Sequence, residues 1–182
     1  MTAKSDLAQA VVIERTYNAA VEQVWKALTD VDQMRQWYFD LKEFKPEVGF
    51  EFSFVVEHKG NTYDHRCKIT EVVPQKKIAY SWRYAGEEGD SLVTFELFAE
   101  GDKTRLKLTH EGLETFPKLP AFARTNFEKG WTEIIGSSLK QYVEGTKTSW
   151  LPTYQIRYLS KSNVLLKHRA TVSTPRGLIP RN

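Results

Sequence analysis

Residues 125–145 read TNFEKGWTEIIGSSLKQYVEG, and this stretch decides the fold. Phe127, Trp131, Ile134, Ile135, Leu139 and Tyr142 recur at i, i+4, i+7, i+8, i+12 and i+15, which is one face of a single long α-helix. Glu128, Lys129, Glu133, Lys140 and Gln141 take the opposite face. The apolar face is wide and carries aromatic rings, so an isolated helix would leave it in water. Something concave has to cover it.

The segments upstream supply that cover. Five runs alternate with period two, the signature of strands with one buried face. FEFSFVV places Phe50, Phe52 and Phe54 together, and after a turn at HKGN the run YDHRCKITEVV places Tyr63, His65, Cys67 and Ile69 together. KIAYSWRY sets Ile78, Tyr80, Trp82 and Tyr84 inward, SLVTFELF sets Val93, Phe95 and Leu97, and TRLKLTH sets Leu106, Leu108 and His110. Their outer positions are charged, as in an antiparallel meander with one wet face. Before them, VVIERTY (11–17) reads as a first strand. Asn18 suits the N-cap of a helix with Val21, Val24, Trp25 and Leu28 on one face. Asp30 suits the cap of a second short helix, with Gln33 three residues on and Trp37 at its end. EGLETFPKLPAFA, with two prolines, reads as a loop. The order is strand, two helices, five strands and one long helix. It predicts an α+β helix-grip domain over residues 1–145, a six-stranded curved antiparallel sheet wrapped around the C-terminal helix.

Composition supports a globular domain with a substantial core: 182 residues, 41% hydrophobic and 13% aromatic. The formal charge of +3 is unevenly spread. Residues 146–182 contain seven Lys or Arg and no Asp or Glu, leaving 19 basic and 23 acidic residues, a net −4, in residues 1–145. The basic extension is expected to stand outside the domain and to be poorly ordered. Its TYQIRYL segment alternates Tyr154, Ile156 and Tyr158 in the manner of an extra strand. A single cysteine, Cys67, excludes an internal disulfide and suits a reducing compartment. MTAKSDLAQAVVIE lacks the apolar core of a signal peptide, and no run approaches the ~20 apolar residues of a membrane span. The expectation is a soluble cytoplasmic protein without membrane or nucleic-acid partners. Outward charges such as Arg66, Lys68, Lys76 and Lys77 read as a solvated face interleaved with acids.

Glycine-rich phosphate loops, CxxC pairs, HExxH and GxSxG are absent. His65 and His110 are the sharpest polar signals because both fall on inner faces. Each is either a core histidine with its nitrogens satisfied or a group that orients a ligand or moves a proton. His65, Cys67 and His110 offer three metal-ligand types but no fourth, so no metal and no other cofactor is expected. The rings of Trp37, Phe52, Phe54, Tyr80, Trp82, Phe95 and Trp131 either line a pocket or fill the core themselves. The polar tips of Tyr63, Tyr80 and Trp82 require partners wherever they are buried.

NAAVEQVWKALTDVDQMRQWYF (18–39), YSWRY (80–84), TRLKLTHEGL (104–113) and the Gly130–Trp131 pair, in this order of elements, resemble the START-like superfamily. Within it they are similar to the bacterial homologues of the activator of heat-shock-protein ATPase, over about residues 10–145. The resemblance implies a deep apolar cavity between sheet and helix that binds a small hydrophobic molecule. Its lining is expected to draw on Trp37, Phe52, Phe54, His65, Tyr80, Trp82, Phe95, His110, Trp131 and Ile135. The family name implies a chaperone partner and a stress-related role. The eukaryotic activators carry a separate N-terminal domain that has no counterpart here. The alternative is an enzyme like the superfamily's aromatases and cyclases, acting on a polyketide-type chain. Such an enzyme needs two or more titratable groups around one void. The pair offered here is His65 and His110, because Glu57 and Glu111 sit at strand ends. That inventory favours a binding module over a catalyst.

Overall fold

The structure, a computed structural model, describes residues 10–58 and 60–145. The strand expected around Tyr154–Tyr158 and the rest of the basic extension lie outside the described residues. β1 (Val11–Tyr17) is followed by α1 (Val21–Thr29) and α2 (Val31–Trp37). Then come β2 (Glu51–His58), β3 (Asn61–Val73), β4 (Lys77–Tyr84), β5 (Ser91–Glu100) and β6 (Lys103–Glu111). Short 3-10 turns at Leu113–Thr115 and Pro120–Phe122 punctuate the loop. The last helix, α3, runs as α-helical Arg124–Glu133, π-helical Ile134–Ser138 and α-helical Leu139–Val143.

The six strands form one antiparallel sheet in the order β1-β6-β5-β4-β3-β2. Successive strands pair through hairpins, and β1 closes on β6 with Val11 opposite His110 and Tyr17 opposite Thr104. A register shift in β3 between Ile69 and Glu71 inserts a bulge opposite β4. A bulge adds bend and twist to the sheet's ordinary twist, which helps make one face concave.

The inward parity holds in every strand. Phe52, Phe54, His65, Cys67, Ile69, Ile78, Tyr80, Trp82, Val93, Phe95, Leu97, Leu106 and Leu108 are all buried in the one core that the sheet shares with the helices. Each aliphatic or phenyl group so buried contributes about 1.5–3 kcal/mol. The outer face carries charge, with ion pairs Arg66–Asp64 (2.6 Å), Lys77–Glu71 (2.7 Å) and Lys68–Glu51 (3.4 Å), while Lys76 is exposed. Such exposed pairs contribute little to stability.

Two local expectations change. Asn18 does not cap α1: the N-cap is Ala20, and the Asn18 N–H donates to Glu144 Oε1 at 2.9 Å. That bond ties the end of α3 to the β1–α1 corner. Asp30 does cap α2, accepting from the N–H groups of Asp32 and Gln33, each at 3.0 Å. The second change is in α3, where a π-turn advances the helix by one residue per turn more than the α spacing. Val143 is therefore buried at the end of the helix, and Tyr142 is only half-buried.

Candidate functional site

Between the concave sheet and the first half of α3 lies an open cleft of about 850 Å³. One wall is sheet: Val56 from β2, Tyr63 and His65 from β3, and Trp82 and Tyr84 from β4. The other is helix, with Phe127, Gly130, Trp131 and Ile134 on one flank and Asn126, Lys129 and Glu133 beside them. Pro120–Phe122 closes one side, and Phe39 sits at the base. The walls are aromatic because inner strand positions and the helix face both spend rings here.

Three of the ten expected residues, His65, Trp82 and Trp131, line this cleft. Trp37, Phe52, Phe54, Tyr80, Phe95, His110 and Ile135 are buried around it but are not in its lining. Their rings occupy the core they were expected to surround. Trp37 Nε1 donates to the Ala27 carbonyl at 2.9 Å, and the Tyr80 and Tyr38 hydroxyls share a 2.9 Å bond. Phe52 meets Tyr80 edge-on at 5.2 Å, and Phe95 meets Trp131 at 5.8 Å. Phe54 stacks between Phe39 (4.1 Å) and His65 (4.3 Å).

His110 belongs to a closed hydrogen-bond chain. The Trp131 indole, which can only donate, gives its Nε1–H to His110 Nδ1 at 2.9 Å. The ring proton is therefore on Nε2, which donates to Ser91 Oγ at 2.8 Å. The Ser91 hydroxyl donates in turn to the Trp82 carbonyl at 2.8 Å. Both nitrogens are occupied, which removes His110 from any set with His65 and Cys67. Burial pushes its pKa down to about 3. Cys67 is buried as well, and its thiol is pushed up out of the reactive range.

His65 is the buried histidine of the cleft, which His58 and Asn61 also line. Burial lowers its pKa to about 4, against partial opposition from the main chain of Phe54 and Tyr63 and the Asp64 charge. Its Nδ1 lies 3.1 Å from the Tyr63 carbonyl, an acceptor, so Nδ1 carries the proton of the neutral ring. The Trp82 ring stands edge-on to it at 4.8 Å. Trp82 is 4% exposed, and its Nε1 has no hydrogen-bond partner among the described residues. The Tyr84 hydroxyl approaches it without hydrogen-bonding geometry.

Sequence reasoning put Lys129 and Glu133 on the face away from the core. They border the cleft instead, because it opens along the helix flank. Tyr63 and Tyr84 were legible as inward by parity. Phe39 and Phe122 lie outside regular elements and carried no periodic signal.

The fold is that of an α+β helix-grip protein with an open cleft between its sheet and α3. Residues 18–144 match the family described as activator of Hsp90 ATPase homolog 1-like protein, and the chain belongs to that family. Among solved structures, it is similar to the Mesorhizobium loti protein MLL2253 at 28% identity, covering 76% of this chain and 99% of that one, with a TM-score of 0.62. The Aha1 dimer from Colwellia psychrerythraea shares the fold at 20% identity, covering 76% and 98%, with a TM-score of 0.56. DynU16, a protein of the dynemicin biosynthetic locus, shares it at 22% identity and a TM-score of 0.63. That match covers 79% of this chain and spans half of DynU16. No curated protein matches the chain. No helix among the described residues is long and apolar enough to cross a membrane.

Proposed function

We propose that this protein is a binding module that takes a small hydrophobic molecule into the cleft between its sheet and α3. The observation that carries this is the cleft itself: about 850 Å³ of open space between sheet and helix, lined by aromatic rings together with polar side chains such as His58, Asn61 and Lys129. Pockets of this size suit drug-sized apolar ligands, with a few polar groups fixing orientation. Catalysis is less well supported. His110 has both nitrogens bonded, and His65, held near pKa 4, is a weak base at neutral pH. The likeness to a protein of a biosynthetic locus is one of fold.

Gly130 provides the test. It lines the cleft from the exposed side of α3, and a Cβ there would meet no atom within 4 Å. Gly130→Trp should therefore fill the cleft mouth without disturbing the core. The neutral dye N-phenyl-1-naphthylamine should bind the parent chain with enhanced fluorescence and bind the variant at least roughly tenfold more weakly. Equal dye binding by a folded variant would place the apolar site elsewhere.

Family membership favours a second reading, a chaperone-linked role in the stress response. An Hsp90-type chaperone whose ATPase rate rises on addition of this chain would support it. A purely ligand-binding protein leaves the rate unchanged.

A further inference from the structure

Building on the ligand-binding reading, we propose that the ligand is an aromatic amphiphile with a dipolar head. Its flat body lies among the rings of the cleft, and a carboxylate and an ammonium at one end rest on Lys129 and Glu133 at the rim.

The cleft changes character from base to mouth. Along the inward positions of the β2–β3 hairpin, Phe54 stands opposite His65, then Val56 opposite Tyr63, then His58 opposite Asn61. The first pair is buried, the second half-buried, and the third, at the end of the hairpin, is exposed and polar. Helix α3 repeats the change. Trp131 and Ile134 are buried and Phe127 is half-buried, while Asn126 and Lys129 are exposed and Glu133 is half-buried on the flank. Rings therefore hold the body of a ligand, and a polar rim meets the end that projects toward water. A wholly apolar molecule leaves that rim to solvent, whereas an amphiphile engages both zones.

The charges at the rim select the head. Among the described residues of the lining, Lys129 and Glu133 are the only Lys, Arg, Asp or Glu. They stand at i and i+4, basic residue first. At that spacing and order α3 closes two other ion pairs, Arg124–Glu128 at 2.9 Å and Lys140–Glu144 at 2.7 Å. Lys129 and Glu133 close no ion pair, with each other or with any other described residue. Two opposite charges, with about 5–6 Å between their Cβ atoms, thus flank one opening unpaired. A head of one sign attracts one of them and repels the other. A head with both signs, as in an α-amino acid, pairs with each. Across the mouth, His58 and Asn61 add hydrogen-bonding groups that suit either end of such a head. The rings of Phe39, Tyr84, Phe122 and Phe127 favour a planar body that can stack.

The test is isothermal titration of the full chain, at low salt, with 3-(2-naphthyl)alanine, 3-(2-naphthyl)propionate, 2-(2-naphthyl)ethylamine and 2-ethylnaphthalene. The amino acid should bind about three- to fivefold tighter than either singly charged compound, which is what one exposed ion pair supplies. The margin should vanish in about 1 M salt, where the Debye length is about 3 Å. The variants should respond in a crossed pattern. Lys129→Gln removes the advantage over the amine, and Glu133→Gln removes the advantage over the propionate. Both side chains lie outside the buried core, so both variants keep the fold. A change in the shape of the cleft would weaken all four compounds alike. If none of the four binds, both this proposal and the ligand-binding reading fail. If they bind but a singly charged or uncharged compound matches the amino acid, or if the crossed pattern is missing, the dipolar head is overturned and the apolar cleft stands.

Discussion

At Trp131 one side chain performs two separable tasks: its ring fills the space under the sheet, and its N–H fixes the tautomer of His110. Trp131→Ala should cost roughly 3–5 kcal/mol, as large core truncations do. Trp131→Phe retains most of the volume but orphans His110 Nδ1, a loss of about 1–3 kcal/mol. Urea melts of both variants check this, and a loss under about 1 kcal/mol for the alanine variant would mean α3 is not clamped by the sheet. The two histidines also set an acid limit. Folding lowers their pKa values from about 6.5 to about 4 for His65 and about 3 for His110. Below pH 6.5 the unfolded chain takes up protons that the folded chain refuses. Stability present above pH 6.5 is therefore lost as pH falls toward those values, by about 1.4 kcal/mol per pH unit for each histidine. Melting temperatures should decline from pH 6.5 to 4.5, and both imidazole C–H resonances should stay fixed between pH 8 and 5. A histidine that titrates near 6.5 would be one exposed to water.

Helix α3 shows why an element is more than its periodicity. The Tyr17 hydroxyl donates to the Ile135 carbonyl at 2.8 Å, inside the π-turn, where the regular α ladder is interrupted. Gly136 in the same turn faces Arg15, whose Nε would lie 3.2 Å from an added Cβ. The turn shifts the phase of the buried face from Tyr142 to Val143, and a fixed 3.6-residue repeat cannot register that shift. Glycines separate by the same local logic. Gly130 is helical, with open space around it, so Gly130→Ala should stabilise the protein by about 0.5–1 kcal/mol. Gly112 has φ +82°, and an added Cβ would lie 2.8 Å from the Asp90 carbonyl oxygen. Gly112→Ala should therefore destabilise by more than about 1 kcal/mol. Thermal melts that move the two variants in the same direction would contradict this contrast.

For the whole molecule, the six strands and α3 close a single core among the described residues. A chain ending at Gly145 should then melt cooperatively within a few degrees of the full chain, and failure of the shorter chain to fold would assign residues 146–182 to the core. The order of elements, the inward face of each strand and the Asp30 cap were legible in the residues alone. They depend on local sterics and on the parity of buried positions, and a linear pattern records both. The cleft was legible only in part. Parity places Phe52, His65, Tyr80, Trp82 and Phe95 on one concave face, but it does not tell which ring fills space and which borders it. Nor does it show that Lys129 and Glu133 flank an opening, that His110 is locked between Trp131 and Ser91, or that the Trp82 Nε1 has no hydrogen-bond partner among the described residues. A cavity is the volume left over when every element has been placed. It therefore depends on ångström-scale positions of groups far apart in the chain, and the tertiary structure alone decides them.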